Sequence, residues 1–356
     1  ENFWQPLKGW WNDMKIRGSY GSLGNQVMDD LGNFPYLATY GTNSSYNYLI
    51  NGSKPVIVKA PGLVAPDFTW ETVTQMDFGF DASFLNNRLE NGFSYWVKGV
   101  LSDYQATITK YAGNDAGFYS QSDGDGKYYV GQKIGEIWGY HSNGLFQSDD
   151  EAATIDQSEL YAGKWGAGDV KYEDLDNDGK ITKGEETIYN PGDKSIIGNK
   201  TPRYQFGITV GFDYKNFDFE MFWQGTGKRD YMLSGAQFWG FTSQWDVPYT
   251  PALDYWTETN TDAYFPRPGW QNGGNRVTSD RYLQSAAYGR LKNLTVGYTI
   301  PKNLTTKWGI SRLRLYVTGE NLLTITPLND AFDPETLGGM TYPINRKVAI
   351  GLNLTL

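Results

Sequence analysis

The segment DLDNDGKITKGEE, Asp174 to Glu186, has oxygen-bearing side chains at the spacing of a calcium-binding loop. In the pattern D-x-[DN]-x-[DN]-G-x5-E, alternate acidic residues supply hard oxygen ligands, a glycine permits the sharp turn and the final glutamate binds through both oxygens. The segment fits this pattern at every position. The predicted ligands are the carboxylates of Asp174, Asp176, Asp178 and Glu185, the backbone carbonyl of Lys180, and Thr182 at the ninth position, with Gly179 at the turn.

The flanks of this loop differ from those of a helical calcium protein. Residues 168–173 and 187–195 contain glycine and proline and lack the period of an amphipathic helix. We therefore expect a structural Ca²⁺ in a long loop rather than a helix–loop–helix hand. Two alternatives stay open: a solvated acidic turn without an ion, and a site that holds magnesium or water.

Aromatic residues between 226 and 285 form a second group that could bind a ligand. Tryptophan rings with nearby asparagine, glutamine and aspartate suit stacking on sugars or contact with a protein. We predict substrate or partner binding for Trp239, Trp245, Trp256 and Trp270. The alternative is that the loop folds on its own aromatic cluster.

The sequence gives little support to an enzyme. His141 is the only histidine, and the local sequence GYHSNGLF offers it no evident nucleophile, so a surface polar role is expected. No pair of carboxylates stands out as an acid and base apart from the acidic loop. We predict no catalytic residues.

Composition excludes several classes of protein. The 356 residues include 31 Lys and Arg against 40 Asp and Glu, and this formal charge of -9 argues against binding to nucleic acid. The chain lacks cysteine, which rules out a disulfide framework. It also lacks an apolar run long enough for a membrane-spanning helix.

Alternating apolar and polar residues indicate strands in several places. Phe78 and Phe80 alternate with Asp77, Gly79 and Asp81. Phe206 to Phe212, Phe217 to Trp223, Leu294 to Ile300, Leu313 to Val317 and Val348 to Leu356 show the same period of two. The pattern predicts strands near 12–22, 72–84, 90–101, 204–214, 217–225, 286–300, 311–323 and 346–356.

The connections between these strands alternate between long and short. They comprise about 50, 5, 100, 2, 60, 10 and 20 residues in turn, which places long loops near 23–71, 102–203, 226–285 and 324–345 at one edge of the sheet. This asymmetry is typical of a transmembrane antiparallel β-barrel with long extracellular loops. A soluble sandwich is the alternative. Its strands also alternate between apolar and polar residues, although it rarely has such long unstructured loops.

Several segments resemble one family, and they occur in the order found in that family. They are IRGSYGSLGNQ (16–26), PDFTWETVTQMDFGFDASFLNNRL (66–89), YYVGQKIGEIWGYHSNGLFQ (128–147), GDVKYEDLDNDGKIT (168–182), the segment 196–225, LKNLTVGYTIP (291–301), LRLYVTGENLLTIT (313–326) and YPINRKVAIGLNLTL (342–356). The chain resembles the C-terminal part of the barrel of the SusC/RagA family of TonB-dependent outer-membrane transporters of Bacteroidetes.

The resemblance implies a 22-stranded barrel in the lipid bilayer of the bacterial outer membrane, filled by an N-terminal plug and covered by a SusD-like lipoprotein lid. It also implies import of an oligosaccharide or peptide, driven by the TonB complex through the N-terminal part. The plug domain and TonB box are not in this sequence. The rival function is a secreted all-β protein that binds or degrades glycans and has a calcium-stabilised loop.

Two departures from the family pattern stand out. The chain is shortened around Glu90–Asn91, where the family has a further strand–loop–strand excursion, so that residues left out of this sequence, cleaved or deleted would explain the gap. The last residue is Leu356, whereas outer-membrane barrels commonly end in an aromatic residue.

Overall fold

The computed structural model describes residues 11–25, 41–43, 57–59, 71–84, 93–111, 114–119, 128–337 and 344–356. The predicted gap near Glu90–Asn91 and most of the predicted loop 23–71 lie outside these residues. No helix in the described ranges is both long and apolar enough to cross a membrane.

Strands dominate the described part of the chain. In chain order they are β1 (Trp11–Asn25), β2 (Gly41–Asn43), β3 (Ile57–Lys59), β4 (Glu71–Phe84), β5 (Phe93–Tyr104), β6 (Glu136–Tyr140), β7 (Ser142–Leu145), β8 (Val170–Tyr172), β9 (Lys194–Asn199), β10 (Arg203–Tyr214), β11 (Phe217–Lys228), β12 (Asp230–Met232), β13 (Leu283–Ser285), β14 (Tyr288–Thr299), β15 (Arg312–Ile325) and β16 (Lys347–Thr355). Helices α1 (Asp149–Ala152), α2 (Ala236–Trp239) and α3 (Lys302–Thr305) each comprise four residues.

Eight long strands form one antiparallel sheet in the order β1-β4-β5-β10-β11-β14-β15-β16. These are the eight strands that the period of two predicts, so that part of the prediction is confirmed. The sheet is open in this chain, with β1 and β16 at its edges. The turn between β10 and β11 has two residues, whereas the connections after β5 and β11 are long.

The register of the strands collects apolar side chains on one face of the sheet. Residues opposite each other in an antiparallel pair lie on the same face, so their types can be followed across strands. One apolar row comprises Tyr95, Phe212, Phe219, Val296, Val317 and Ile350. The next row comprises Val97, Val210, Met221, Leu294, Gly319 and Val348.

The opposite face is polar and its rows interleave with the apolar ones. One polar row comprises Trp96, Gly211, Glu220, Thr295, Thr318 and Ala349. Side chains on this face bond to one another: the Thr295 and Thr318 hydroxyl oxygens are 2.9 Å apart. Arg314 Nε donates to Asp218 Oδ1 over 2.9 Å. This face can therefore line an aqueous space, because its polar groups are hydrogen-bonded or hydrated.

The apolar face is not the inside of a sandwich. Phe78 and Val296 are exposed, Ile350 is 83% exposed, and Val210 is only half-buried. A soluble sandwich would bury these four residues against a second sheet. The sandwich alternative therefore fails for the described sheet.

Long connections at one edge of the sheet fold together around a single hydrophobic core. We call residues 128–202, 229–287 and 326–337 the loop lobe. Phe238 lies at the centre of this core, and its ring contacts the rings of Trp239, Tyr264, Phe265, Tyr282 and Phe332. Tyr140, Val170, Tyr172 and Ile181 belong to the same core. The three connections are thus one folded unit and not separate flexible loops.

Residues 326–337, which we call the strap, join the loop lobe to the sheet. Leu328, Phe332 and Leu337 are buried in the core of the lobe. At the sheet, the guanidinium of Arg290 on β14 is almost fully buried and lies 2.6 Å from Asp333 and 3.1 Å from Glu335. Because a buried cation needs paired anions, these contacts fix the strap against β14.

We expect Arg290→Met to release the strap from β14. The substitution leaves the carboxylate of Asp333 without its cation, whereas Glu335 keeps its ion pair with Lys292 at 2.7 Å. Breaking a buried pair in this way costs about 3 kcal/mol. Amides of 326–337 should then exchange with deuterium faster in the detergent-solubilised protein. The control is Lys164→Met, which removes an exposed pair with Asp149 and should cost less than about 1 kcal/mol. Equal exchange in both variants would contradict the role of Arg290.

Candidate functional site

Three carboxylates meet at the acidic loop. Side-chain oxygens of Asp174, Asp176 and Asp193 all lie within 4.8 Å of one another. Oxygen ligands of calcium lie 2.3–2.6 Å from the ion, so that two ligands on opposite sides are separated by about 5 Å. The three oxygens are therefore close enough to share one cation. Asp193 is not among the residues that the motif predicts.

The loop is shaped by left-handed residues and by bonds from its backbone to its carboxylates. Gly179 has φ 85° and Asn177 has φ 62°, conformations that glycine and asparagine tolerate best. The N–H of Gly179 donates to Asp174 Oδ2 over 2.7 Å, and the N–H of Asp178 donates to Asp176 Oδ1 over 3.1 Å. These bonds hold the two carboxylates toward the centre of the loop.

Asp193 joins the two ends of the loop. Its side chain is fully buried and accepts hydrogen bonds from the N–H of Leu175 and the N–H of Thr182, both over 2.7 Å. The N–H of Asp193 in turn donates to the carbonyl of Thr182. A carboxylate from outside the motif therefore closes the loop, eight residues beyond Glu185.

The loop is anchored to the core of the loop lobe through Ile181. This side chain is fully buried. The N–H of Ile181 donates to the carbonyl of Asp156 over 2.7 Å, and the N–H of Asp156 donates to the carbonyl of Gly179 over 3.1 Å. These two hydrogen bonds and the buried Ile181 side chain connect the acidic loop to the lobe core.

Electrostatics at the loop favour a bound cation. Burial raises the pKa of Asp174, but N–H groups of Gly179, Asn177 and Asp178 more than offset this and leave its pKa below the usual range. Burial and the nearby charges of Asp178, Asp193 and Asp174 hold the pKa of Asp176 above its usual range. Carboxylates that repel one another in this way are stabilised by a divalent ion.

The remaining predicted ligands lie around this group without belonging to it. Asp178 Oδ1 accepts the N–H of Lys180 over 2.8 Å, and Thr182 donates its N–H to Asp193. The N–H of Glu185 donates to the carbonyl of Asn190. Among the described residues, the group of three carboxylates includes neither Asp178 nor Glu185.

The four predicted tryptophans divide into two pairs. Trp239 and Trp256 are each only 9% exposed and pack in the core of the loop lobe. Their packing agrees with the alternative that the loop folds on its own aromatic cluster, because the long connections form a core of their own. Trp245 is 82% exposed and Trp270 is 47% exposed, so a binding role for these two stays a prediction.

The polar face of the sheet contains a concavity near the turn between β10 and β11. Its volume is about 650 Å³, and its lining includes Trp96, Asp213, Asp218, Glu220, Thr295 and Arg314. The lining presents both carboxylates and guanidinium groups to water. This concave polar surface is suited to contact with a polar solute or a polar protein segment.

His141 has partners that its local sequence does not reveal. Its Nε2 lies 2.7 Å from Ser195 Oγ, and its Nδ1 lies 2.8 Å from Asp280 Oδ2. The structure thus brings a serine hydroxyl to His141 from outside the local sequence in which no nucleophile is evident. The three residues are separated by 54 and 139 positions, so that no local motif could have indicated the contact.

Comparison with curated proteins finds relatives along nearly the whole chain. No protein-family model matches the chain. TonB-dependent receptor P3 of Formosa agariphila is 28% identical over 425 residues, covering 96% of this chain and 39% of that receptor. TonB-dependent receptor SusC of Bacteroides thetaiotaomicron is 23% identical, covering 96% of this chain and 37% of that protein.

The chain thus spans about two-fifths of the length of these relatives. The alignment to receptor P3 extends over 425 residues, whereas this chain has 356. Receptor P3 therefore contains insertions relative to this chain.

Solved structures show the same fold. A structure of the RagAB peptide transporter matches with a TM-score of 0.63 at 17% identity, over 97% of this chain and 41% of that one. The RagAB peptide importer in a closed-closed state matches with a TM-score of 0.56 at 19% identity, over 99% of this chain. The eight-stranded sheet is thus part of a larger outer-membrane β-barrel. Along nearly its whole length, the chain is similar to TonB-dependent receptors of bacteria, SusC among them.

Proposed function

We propose that the chain forms part of the wall of a TonB-dependent importer that carries an oligosaccharide or a peptide across the outer membrane. The observation that carries this proposal is the interleaving of apolar and polar rows across eight strands. Lipid provides no hydrogen bonds, so the apolar rows suit contact with hydrocarbon. The polar rows then line the transport path.

The loop lobe belongs on the outside of the cell under this proposal. Outer-membrane barrels have short periplasmic turns and long extracellular loops, and the lobe consists of the long connections. The two-residue turn between β10 and β11 then faces the periplasm. We infer that the lobe meets a SusD-like lipoprotein lid and that the missing N-terminal part supplies the plug and the contact with TonB. Relatives named SusC and RagAB support this arrangement.

The exposed tryptophans are the best candidates for contact with substrate or lid. Trp245 and Trp270 expose apolar ring surface to water. Such rings contribute strongly to binding when a partner buries them. Trp239 and Trp256 instead stabilise the lobe that displays them.

We also propose a structural Ca²⁺ at the acidic loop. Asp174, Asp176 and Asp193 would be its carboxylate ligands, and Asp178, Lys180, Thr182 and Glu185 the remaining candidates. The ion would neutralise carboxylates whose burial and mutual repulsion raise the pKa of Asp176. Because Ile181 joins the loop to the lobe core, the ion would stiffen the surface on which a lid docks.

Deletion of the full-length protein from its host should abolish growth on one class of oligomeric nutrient. Cells should be tested on oligosaccharides and on peptides, with the matching monosaccharides and amino acids as controls, since monomers enter by other routes. Complementation with the wild-type protein should restore growth. Normal growth on every oligomer, together with recovery of the protein in a soluble secreted fraction without detergent, would favour the rival glycan-active protein.

Calcium should bind the loop in a manner that depends on Asp193 and on pH. Without the ion, the raised pKa of Asp176 favours its protonated form in the folded loop, so the loop loses stability as pH rises through that pKa. Binding requires ionised carboxylates, so the affinity should fall as pH is lowered through the same pKa. Calorimetric titration of the full-length protein with Ca²⁺ at several pH values measures the affinity. Hydrogen exchange at 174–193 without Ca²⁺, at the same pH values, measures the stability of the loop.

Substitutions identify the ligands in this titration. Asp174→Asn and Asp193→Asn should each weaken binding at least tenfold, whereas the exposed Asp150→Asn should not. Hydrogen exchange at 174–193 should slow when Ca²⁺ is added to the wild-type protein. Absence of any Ca²⁺-dependent heat or change in exchange would exclude the ion and leave a solvated acidic turn.

A further inference from the structure

The histidine of this chain lies between a serine and an aspartate that come from different segments of the loop lobe. His141 follows β6, Ser195 lies on β9, and Asp280 precedes β13. Gly139 pairs directly with Ser195 across β6 and β9. A Cβ at Gly139 would lie 2.5 Å from the Ile197 side chain and 2.7 Å from the Thr278 carbonyl oxygen, so glycine is what lets these segments pack closely beside Ser195.

The directions of the hydrogen bonds follow from the chemistry of the partners. An ionised carboxylate only accepts, so Nδ1 of His141 carries the proton that is donated to Asp280 Oδ2 over 2.8 Å. In the neutral imidazole Nε2 is then an acceptor, and the Ser195 hydroxyl donates to it over 2.7 Å. This tautomer is the one in which an imidazole can remove a proton from a serine.

Asp280 is itself held in place. Its Oδ1 accepts the N–H of Ser142 over 2.9 Å, and its own N–H donates to the carbonyl of Tyr140. The carboxylate is therefore fixed against the backbone on both sides of His141. A fixed carboxylate orients the ring and stabilises it once it gains a proton.

Solvent has access to this group. About a third of the His141 side chain is exposed, and Ser195 is half-buried. Ser195 Oγ has one hydrogen-bond partner among the described residues, the imidazole, so its lone pairs can face an incoming molecule. An inert buried network would lack this access.

We propose that Ser195 is a reactive nucleophile, activated by His141 and Asp280, that takes activated acyl or phosphonyl esters. The proposal stands independently of the importer function. In the acyl reaction Ser195 Oγ bonds to the carbonyl carbon while its proton passes to His141 Nε2. The bond from that carbon to the leaving oxygen then breaks, and the same proton passes to the alkoxide, which departs as an alcohol.

The surroundings limit the class of ester. The hydrogen bonds of the described residues place the imidazole beside Ser195 Oγ and identify no group that would stabilise an oxyanion, so the proposal rests on general-base assistance alone. General-base assistance alone contributes about 10²- to 10⁴-fold to the rate. Esters with good leaving groups should therefore acylate Ser195, and the slow return of the free serine by hydrolysis should let the adduct accumulate.

A fluorophosphonate probe tests the proposal on the full-length protein in detergent. Peptide mass spectrometry should find the adduct on Ser195 at a rate at least about tenfold above that of any other serine. His141→Gln and Asp280→Asn should each reduce this rate at least tenfold. Ser311→Ala, which removes an exposed hydroxyl between β14 and β15, should leave labelling of Ser195 unchanged.

A second variant separates reactivity from folding. Ser195→Cys should react with iodoacetamide, and His141→Gln in that background should slow the reaction while hydrogen exchange of the lobe core stays the same. Absence of an adduct on wild-type Ser195, or labelling that is equal in the presence and absence of His141, would overturn the proposal.

Discussion

Pairing of backbone N–H and C=O groups is the constraint on which this structure depends. In hydrocarbon each unpaired group costs several kcal/mol, so strands can cross a membrane only when every one has neighbours on both sides. Within the described residues, six of the eight strands have neighbours on both sides, and β1 and β16 are the edges of the sheet. The pleat then puts alternate residues on opposite faces, and register aligns Val296, Val317 and Ile350 in one row.

Connections at one edge of the sheet satisfy a different requirement. Nearly a hundred residues between β5 and β10 could not remain a bare loop without leaving polar backbone unpaired. They fold with residues 229–287 and the strap around Phe238. Through Arg290 this core is tied to β14, and through Ile181 it is tied to the acidic loop. One rigid lobe thus connects the sheet to every candidate site at this edge.

Local patterns predict the strands well and the lobe poorly. The period of two locates all eight sheet strands, because apolar and polar residues alternate within the sequence of each strand. The acidic motif likewise locates Asp174 and Asp176. Contacts between distant segments leave no such pattern: Asp193 closes the loop from outside the motif, and Ser195 and Asp280 reach His141 from far along the chain. Burial of Trp239 and Trp256 depends on the same long-range packing. The composition of the loop alone does not tell which of its tryptophans are buried and which are exposed.

Accessibility of single spin labels measures the two faces most directly. These 356 residues contain no cysteine, so labels can be attached at one introduced cysteine at a time in the full-length protein in lipid bilayers, once any cysteine elsewhere in it has been replaced by serine. Labels at Val296, Val317 and Ile350 should be relaxed by dissolved oxygen and shielded from a water-soluble nickel complex. Labels at the neighbouring Thr295, Thr318 and Ala349 should be relaxed less by dissolved oxygen, because these positions face the lumen or contact the plug. Equal responses from both sets, or stronger nickel contact at Val317 than at Thr318, would contradict a lipid-facing sheet.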